Sequence, residues 1–470
     1  MAEITQGSQS PAMSEEGAIT RFLRATEIDT RMLGMVAALL LIWLGFEIGT
    51  AYRANVANPD SLLGGYFLSP RNLWTLLVQS SSIAVMTTGM VLIIVMRNID
   101  LSVGSMLSTI AVSMGYLQVY MLGKWFGVGH GSIWILAVLF GIGLGLLLGF
   151  INGVLIAYAG IPSFIVTLGG LIAYSGLAWW VIRGETVAPM DKTFKLLGGN
   201  GPLASVGPTW SWILAVLACA GIVLAILSGR RQRRRFKFPL RPVWAEWFLA
   251  IVGSAIVLGI TLIVNSYPWA PKIIENYAVA NAIPIPQGVE FSDGAAICMA
   301  GEQIVRCVNG LIYYTGYSIP VLIAVAVGFV MTFIATRTRF GRYVYATGGN
   351  PEAAELAGIN TKALTVRVFM LMGVLVAISA MISSARLDSA TNSLGLFNEL
   401  YVIAAAVIGG TSLGGGIGTI YGAMLGALLM QSLQSGMTLM NFESAYKDMV
   451  VGTVLVAAVW VDQIYRRRAK

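Results

Sequence analysis

Residues 337–367 read RTRFGRYVYATGGNPEAAELAGINTKALTVR, a polar island between two apolar runs, Ile319 to Thr336 and Val368 to Ser384. Gly348 and Gly349 are expected to break the chain ahead of a short helix. Asn350 suits its N-cap, because a side-chain oxygen there accepts from the unpaired N–H groups of the first turn. Pro351 suits the first helical position, where its missing N–H costs nothing. Glu352 adds a negative charge against the helix N-terminus. The stretch from Pro351 to Ala357 is small and helix-favouring, Gly358 can adopt the left-handed conformation that ends a helix, and Asn360 resumes a loop. Two turns fall well below the roughly 12 to 15 residues that are even marginal alone in water, so this helix is expected to be held by docking. Either it lies on its own protein as an amphipathic connector, or a partner groove receives the small face of Ala353, Ala354 and Ala357.

The composition around the island is that of a polytopic membrane protein. Hydrophobic residues make up 57% of the 470, charged residues 11%, and the mean hydropathy is +0.77, against about 25% charged in a soluble domain. Three cysteines and one histidine, His130, argue against a disulfide scaffold or a histidine-rich metal site. The net charge of +8 sits in short basic runs between apolar segments, which suits orientation in a bilayer with some attraction for membrane lipid, not nucleic-acid binding.

The expected fold is all-α, a transmembrane helical bundle of about 10 to 12 spans with broken or re-entrant segments. A polar tail, residues 1–31, precedes a first span that starts too late and runs too long for a signal peptide. The permease domain, 32–470, shows twelve apolar segments, of which Glu399 to Ile408 is short. Gly141, Gly145 and Gly149 recur at four-residue spacing, read as close helix packing in preference to a substrate role. VMRNIDLSVGSML and VIGGTSLGGGIGT each interrupt apolar sequence with glycines, as the broken helices of transporters do, although glycine-rich segments also resemble one another by chance.

With the N-terminal tail on the cytoplasmic side, the tail, Arg97, the basic loop within 229–242, the island and the C-terminal end hold twenty of the thirty Lys and Arg. The positive-inside bias therefore places both termini and the island in the cytoplasm, and the loops 185–209 and 265–318 outside.

No phosphate-binding GxxxxGK[ST] loop occurs, so ATP hydrolysis is not expected on this chain. Nor does an acid or His-Glu-His arrangement at catalytic spacing appear, so no catalytic or metal-binding residue is assigned. A proton-coupled secondary carrier is the alternative class, and Glu47, Asp100 and Asp462 are its few acidic candidates. A path for a neutral polyol would use amides and hydroxyls within spans. Gln79, Ser80, Ser81, Asn152, Ser163, Thr167, Asn392 and Thr411 qualify, with Asp100 beside them. Against each stands the tendency of membrane Ser and Thr to bond to their own backbone or a neighbouring helix.

PEAAELAGI, with Glu352, Ala353, Ala354 and Gly358, resembles the E-A-A and glycine signature in the cytoplasmic loop of ABC-importer permeases. GRYVYATGGN, Gly341 through Asn350 and including Arg342, is similar to the form used by the ribose and xylose branch. FLSPRN, RNIDLSVGS, IPSFIVTLGG and AAAVIGGTSLGGGIGTIYGAMLGA extend the likeness over most of the chain. The resemblance implies an inner-membrane permease of a bacterial monosaccharide importer that needs no cofactor. It further implies two permease copies forming the pathway, a periplasmic sugar-binding protein, and separate cytoplasmic ABC ATPase subunits that couple through Arg342, Asn350 to Ala354 and Gly358. This family is usually drawn with ten spans, and the additional pair flanking GRRQRRRFKFPLR resembles xylose-type members.

Cys298 and Cys307 flank a short segment of the 265–318 loop. Facing an oxidising compartment, they are expected to form a disulfide, with two free thiols as the alternative. Cys219, within an apolar run, is expected to be a small buried hydrophobe.

Overall fold

The computed structural model describes residues 18–57, 64–127, 129–200, 202–267 and 315–469, with 275, 279, 290–292, 295–300 and 303–306 of the intervening loop. Nine helices among them are long and apolar enough to cross a membrane, and Asn398–Ile408 is a shorter apolar helix. Ile420–Leu439 and Ser444–Ala469 are also of membrane-crossing length. The twelve apolar segments of the sequence thus each carry a helix.

Helix Pro70–Val95 forms the axis of the bundle, with Met86, Met90, Leu92 and Ile93 fully enclosed. Thr361–Leu387 packs beside it and is buried along most of its length. Thr361–Leu387 also packs against Ile133–Ala157, where close approach is possible because small residues face one another. A Cβ on Gly145 would overlap the carbonyl of Gly373, and one on Gly149 that of Phe369. The four-residue glycine spacing therefore serves helix packing, as expected. By contrast, Gly207–Arg235 and Val243–Asn265 form a peripheral hairpin that buries little of either helix.

Two breaks in the helices come together, the second of them rich in glycine. One, residues 96–102, joins Pro70–Val95 to Val103–Tyr116; the other, residues 409–419, joins Asn398–Ile408 to Ile420–Leu439. The second reaches the residue just before the first, where the Gly416 N–H donates to the Val95 carbonyl at 2.9 Å. Asn398–Ile408 has 11 residues and, at about 1.5 Å per residue, crosses only about half of a 30 Å hydrocarbon layer. The broken geometry expected from sequence is present.

Contacts define the two ends of the bundle. At one, Arg97 reaches Gly348 and Gly349 beside Pro351. At the other, the Trp74 indole donates to the Gly316 carbonyl at 3.1 Å, and Asn200 Nδ2 donates to the carbonyls of Ala385 and Arg386 at 2.8 Å. In the 265–318 loop three strands, Glu290–Ser292, Ala295–Ala300 and Gln303–Arg306, pair antiparallel in chain order. Cys298 lies opposite Val305. Cys307 falls outside the described residues, and the expected disulfide with it.

Candidate functional site

The polar island folds as two consecutive helices, Arg339–Gly349 and Pro351–Leu356. Gly348 and Gly349 do not break the first, as the sequence suggested, but complete its last turn. The absence of a side chain at Gly348 is used for packing, since a Cβ there would overlap the Val95 carbonyl oxygen. The separation falls at Asn350, which leaves helical geometry at φ −149° and accepts from the Ala353 N–H at 3.1 Å. Pro351 occupies the first turn. Gly358 adopts φ +82°, while the Ile359 N–H returns to the Ala354 carbonyl at 3.1 Å. Local capping rules thus place both ends of the short helix. Asn360 does more than resume a loop: it caps Thr361–Leu387 by accepting from Ala363 at 2.9 Å.

The small face of this helix is not one surface. Ala354 is buried against the chain's own body, whereas Glu352, Ala353 and Ala357 are exposed. Leu356, which the sequence reading passed over, projects with 90% of its surface accessible. Arg342 lies on the preceding helix and donates to the Arg337 carbonyl at 3.3 Å. The bundle end therefore presents a capped, backbone-anchored helix whose outer face is Glu352, Ala353 and a bare leucine. Because an isolated apolar side chain in water gains about 1.5 to 3 kcal/mol by burial, this face is suited to receiving a partner.

At the opposite end a cavity of about 570 Å³ enters the bundle along the first half of Pro70–Val95, past Asn72, Thr75, Gln79 and Ser82. Across it stand Gln431, Gln434 and Ser435 of Ile420–Leu439, with Asn398 and Tyr401 of the half-length helix. Gln431 Nε2 donates to Gln79 Oε1 at 2.9 Å, and Ser435 Oγ to Asn72 Oδ1 at 2.9 Å. Ser82 Oγ meets the hydroxyls of Ser379 at 2.5 Å and Ser383 at 2.7 Å. Beyond Ile83 the axial helix is enclosed through Val95, so an apolar layer containing Met86 and Met90 closes the cavity toward the Pro351 end. Arg386, Lys447 and Asp448 sit on the wall, but amides and hydroxyls make up most of its polar lining. Such groups both donate and accept, which matches a neutral polyhydroxylated solute better than an ion.

Of the residues expected on a path, Gln79 alone lines this cavity. Ser80 and Ser81 turn back to the Leu77 carbonyl at 3.0 and 2.8 Å. Asp100, Asn152, Ser163 and Thr167 gather instead at the 96–102 break. There Asp100 Oδ1 accepts from the Ser102 N–H at 2.9 Å and hydroxyl at 2.6 Å. Asn152 Nδ2 donates to Ser102 Oγ at 2.9 Å and Tyr174 to Asn152 Oδ1 at 2.7 Å. Ser163 Oγ accepts from Ile99 N–H at 3.4 Å, while Thr167 donates to the Ser163 carbonyl at 2.8 Å. These bonds join two helices, Ile133–Ala157 and Ser163–Ile182, to the break, a structural use of polar groups inside a bundle. Thr411 is buried in the second break, and Asn392 lies half-exposed in the loop before Asn398. Glu399 is a buried acid the sequence reading missed, and it lies where a Cβ on Gly104 would strike its Oε2. Among the described residues no group of three or more His, Cys, Asp or Glu could hold a metal ion.

The chain is similar to known transport-system permeases over most of its length. It is 33% identical to the xylose transport system permease protein of Haemophilus influenzae over 404 residues, 86% of this chain and 92% of that one. The xylose transport system permease protein of Escherichia coli K12 is 32% identical over 442 residues, 94% of both chains. The ribose import permease protein of the same organism is 26% identical over 405 residues, 86% of this chain and 88% of that one. No solved structure matches it at a significant level. Residues 218–459 match the model of the family described as branched-chain amino acid transport system / permease component, and with the near full-length likeness to the xylose permeases this places the chain in that family of membrane permeases.

Proposed function

We propose that this chain is the membrane permease of an ATP-driven ABC importer that brings a monosaccharide, xylose or a closely related sugar, into a bacterial cell. The observation that carries the reading is the pairing of two features at opposite ends of one bundle. A cavity lined mainly by amides and hydroxyls opens at one end, and a capped helix with Leu356 exposed stands at the other. The cavity would admit sugar released by a binding protein. Leu356, Glu352 and Ala353 would dock a separate ATPase subunit, whose movement reaches the bundle through Arg97. A second copy of the chain would complete the pathway. The clustering of Arg97, the island and the basic hairpin tip supports a cytoplasmic Pro351 end in the inner membrane, with both termini on that side.

The test is purification of the tagged full-length chain from its native membrane, identification of the ATPase and binding-protein chains that accompany it, and reconstitution of the set in vesicles. Xylose uptake that requires both ATP and the binding protein supports the proposal. Uptake driven by an imposed proton gradient without ATP would establish the secondary-carrier alternative instead.

A further inference from the structure

The tip of the peripheral hairpin carries more positive charge than its own carboxylates neutralise. Arg230 pairs with Glu246 at 2.5 Å, while Arg233 and Arg241 share Glu27 at 2.6 and 2.7 Å. For Arg231 and Arg234 no acidic partner occurs among the described residues. These two do not simply point into water at random. Together with Arg230, Ser228, Leu224 and Leu227 they line an open cavity of about 310 Å³.

The order of these side chains along the helix identifies a ligand class. Positions 224, 227, 228, 231 and 234 follow three- and four-residue spacing and so form one stripe. The stripe begins in exposed leucine, 64% for Leu224 and 51% for Leu227, and ends in guanidinium about 15 Å further along the axis. A soluble anion would use only the arginines. A phospholipid uses both ends, because its acyl chain lies along the leucines while its phosphate takes the planar donors of the arginines. Ser228 already donates to the Ala225 carbonyl at 2.9 Å, which leaves the charged donors to recognise the headgroup. We propose that Leu224, Leu227, Arg231 and Arg234 form a binding site for one anionic phospholipid. The site gives the hairpin, which contributes little to the packed bundle, a function as an anchor in the leaflet.

The purified full-length chain in nonionic detergent is titrated with phosphatidylglycerol, with phosphatidylcholine, and with glycerol 3-phosphate, which has the phosphate without acyl chains. Tm is followed by tryptophan fluorescence. Phosphatidylglycerol is expected to raise Tm saturably, and the other two are not. The double variant R231Q/R234Q should weaken the apparent affinity about thirtyfold, since each arginine near an anionic headgroup contributes roughly fivefold. Equal shifts with phosphatidylcholine, an equal shift with glycerol 3-phosphate, or an undiminished response in the double variant would each overturn the proposal. If that variant does not fold, lipid retained by the wild-type chain after detergent exchange decides: enrichment of phosphatidylglycerol over the source membrane supports the site, and parity refutes it.

Discussion

Arg97 holds two successive carbonyls of the adjoining helix, donating from Nε to Gly348 at 2.9 Å and from Nη2 to Gly349 at 2.7 Å. The guanidinium thereby ties the end of the axial helix to the residues immediately before Asn350, and Arg97 adopts φ +61° to do so. Charged-donor bonds contribute about 1.5 to 3 kcal/mol each when buried, and partial exposure reduces this pair to about 1 to 2 kcal/mol in total. Arg97→Ala is expected to reduce ATP-driven uptake about tenfold while leaving the assembled bundle intact. Arg97→Lys, lacking the planar fork, should recover only part of it. Full uptake by the alanine variant, measured at equal membrane abundance, would show that motion is not transmitted here.

Leu356 and Ala354 are neighbours in sequence with opposite surroundings, 90% and 5% exposed. Leu356→Ser should leave Tm within about 1 °C, as for a surface change, yet abolish co-purification of the ATPase and ATP-driven uptake. Ala354→Trp should fail earlier, lowering the chain's own stability by about 1 to 3 kcal/mol through overpacking. Retained ATPase binding in the serine variant would remove Leu356 from the interface.

Gly348 and Gly349 differ in the same way. A Cβ on Gly348 would overlap the Val95 carbonyl, whereas one on Gly349 has nothing within 4 Å. Gly348→Ala is expected to cost about 1 to 3 kcal/mol as the two helices separate, and Gly349→Ala to be neutral or slightly stabilising. Thermal unfolding of the two purified variants checks the contrast.

The cavity predicts a local pattern of blockage. In a variant without native cysteines, Thr438→Cys on the wall should become inactive for uptake once coupled to a bulky maleimide. Asn392→Cys, in the loop outside the wall, should remain active after the same treatment. Equal sensitivity at both positions would argue against this cavity as the route.

Glu27 fastens the N-terminal segment to the basic hairpin. Hydrogen bonds from Arg233 and then Arg241 lower its carboxyl from 4.5 to about 2. A depressed folded-state value means the contribution is complete above about pH 4.5 and is lost as pH falls toward 2. Because the group is largely exposed, salt should weaken it. Hydrogen exchange in residues 18–27 should therefore be constant from pH 5 to 8, after correction for intrinsic rates, and increase with Glu27→Gln. No change in the glutamine variant would show that aromatic packing of Phe22 on Trp244 and Phe248 suffices alone.

Whatever depends on near neighbours in the chain was legible in the sequence. The twelve apolar segments follow from the cost of leaving backbone groups unpaired in hydrocarbon. Asn350, Pro351 and Gly358 bound a helix through local geometry and bonds that close within five residues, so their roles needed no knowledge of the fold. The glycine spacing from Gly141 to Gly149 likewise announced a close helix contact. What tertiary structure alone decided is the direction in which each side chain faces. In a helix that is enclosed nearly all round and carries polar residues on several faces, such as Pro70–Val95, hydrophobicity no longer marks an inner and an outer side. Gln79 therefore reaches a cavity while Ser80 and Ser81 close onto their own backbone, although all three are adjacent in sequence. The cavity itself draws on helices more than 350 positions apart, as the bond from Gln431 to Gln79 shows. The same holds on the surface helix, where fewer than two turns are too short for the pattern to tell Ala354 from Ala353. Packing against the bundle covered the one and left Leu356 bare.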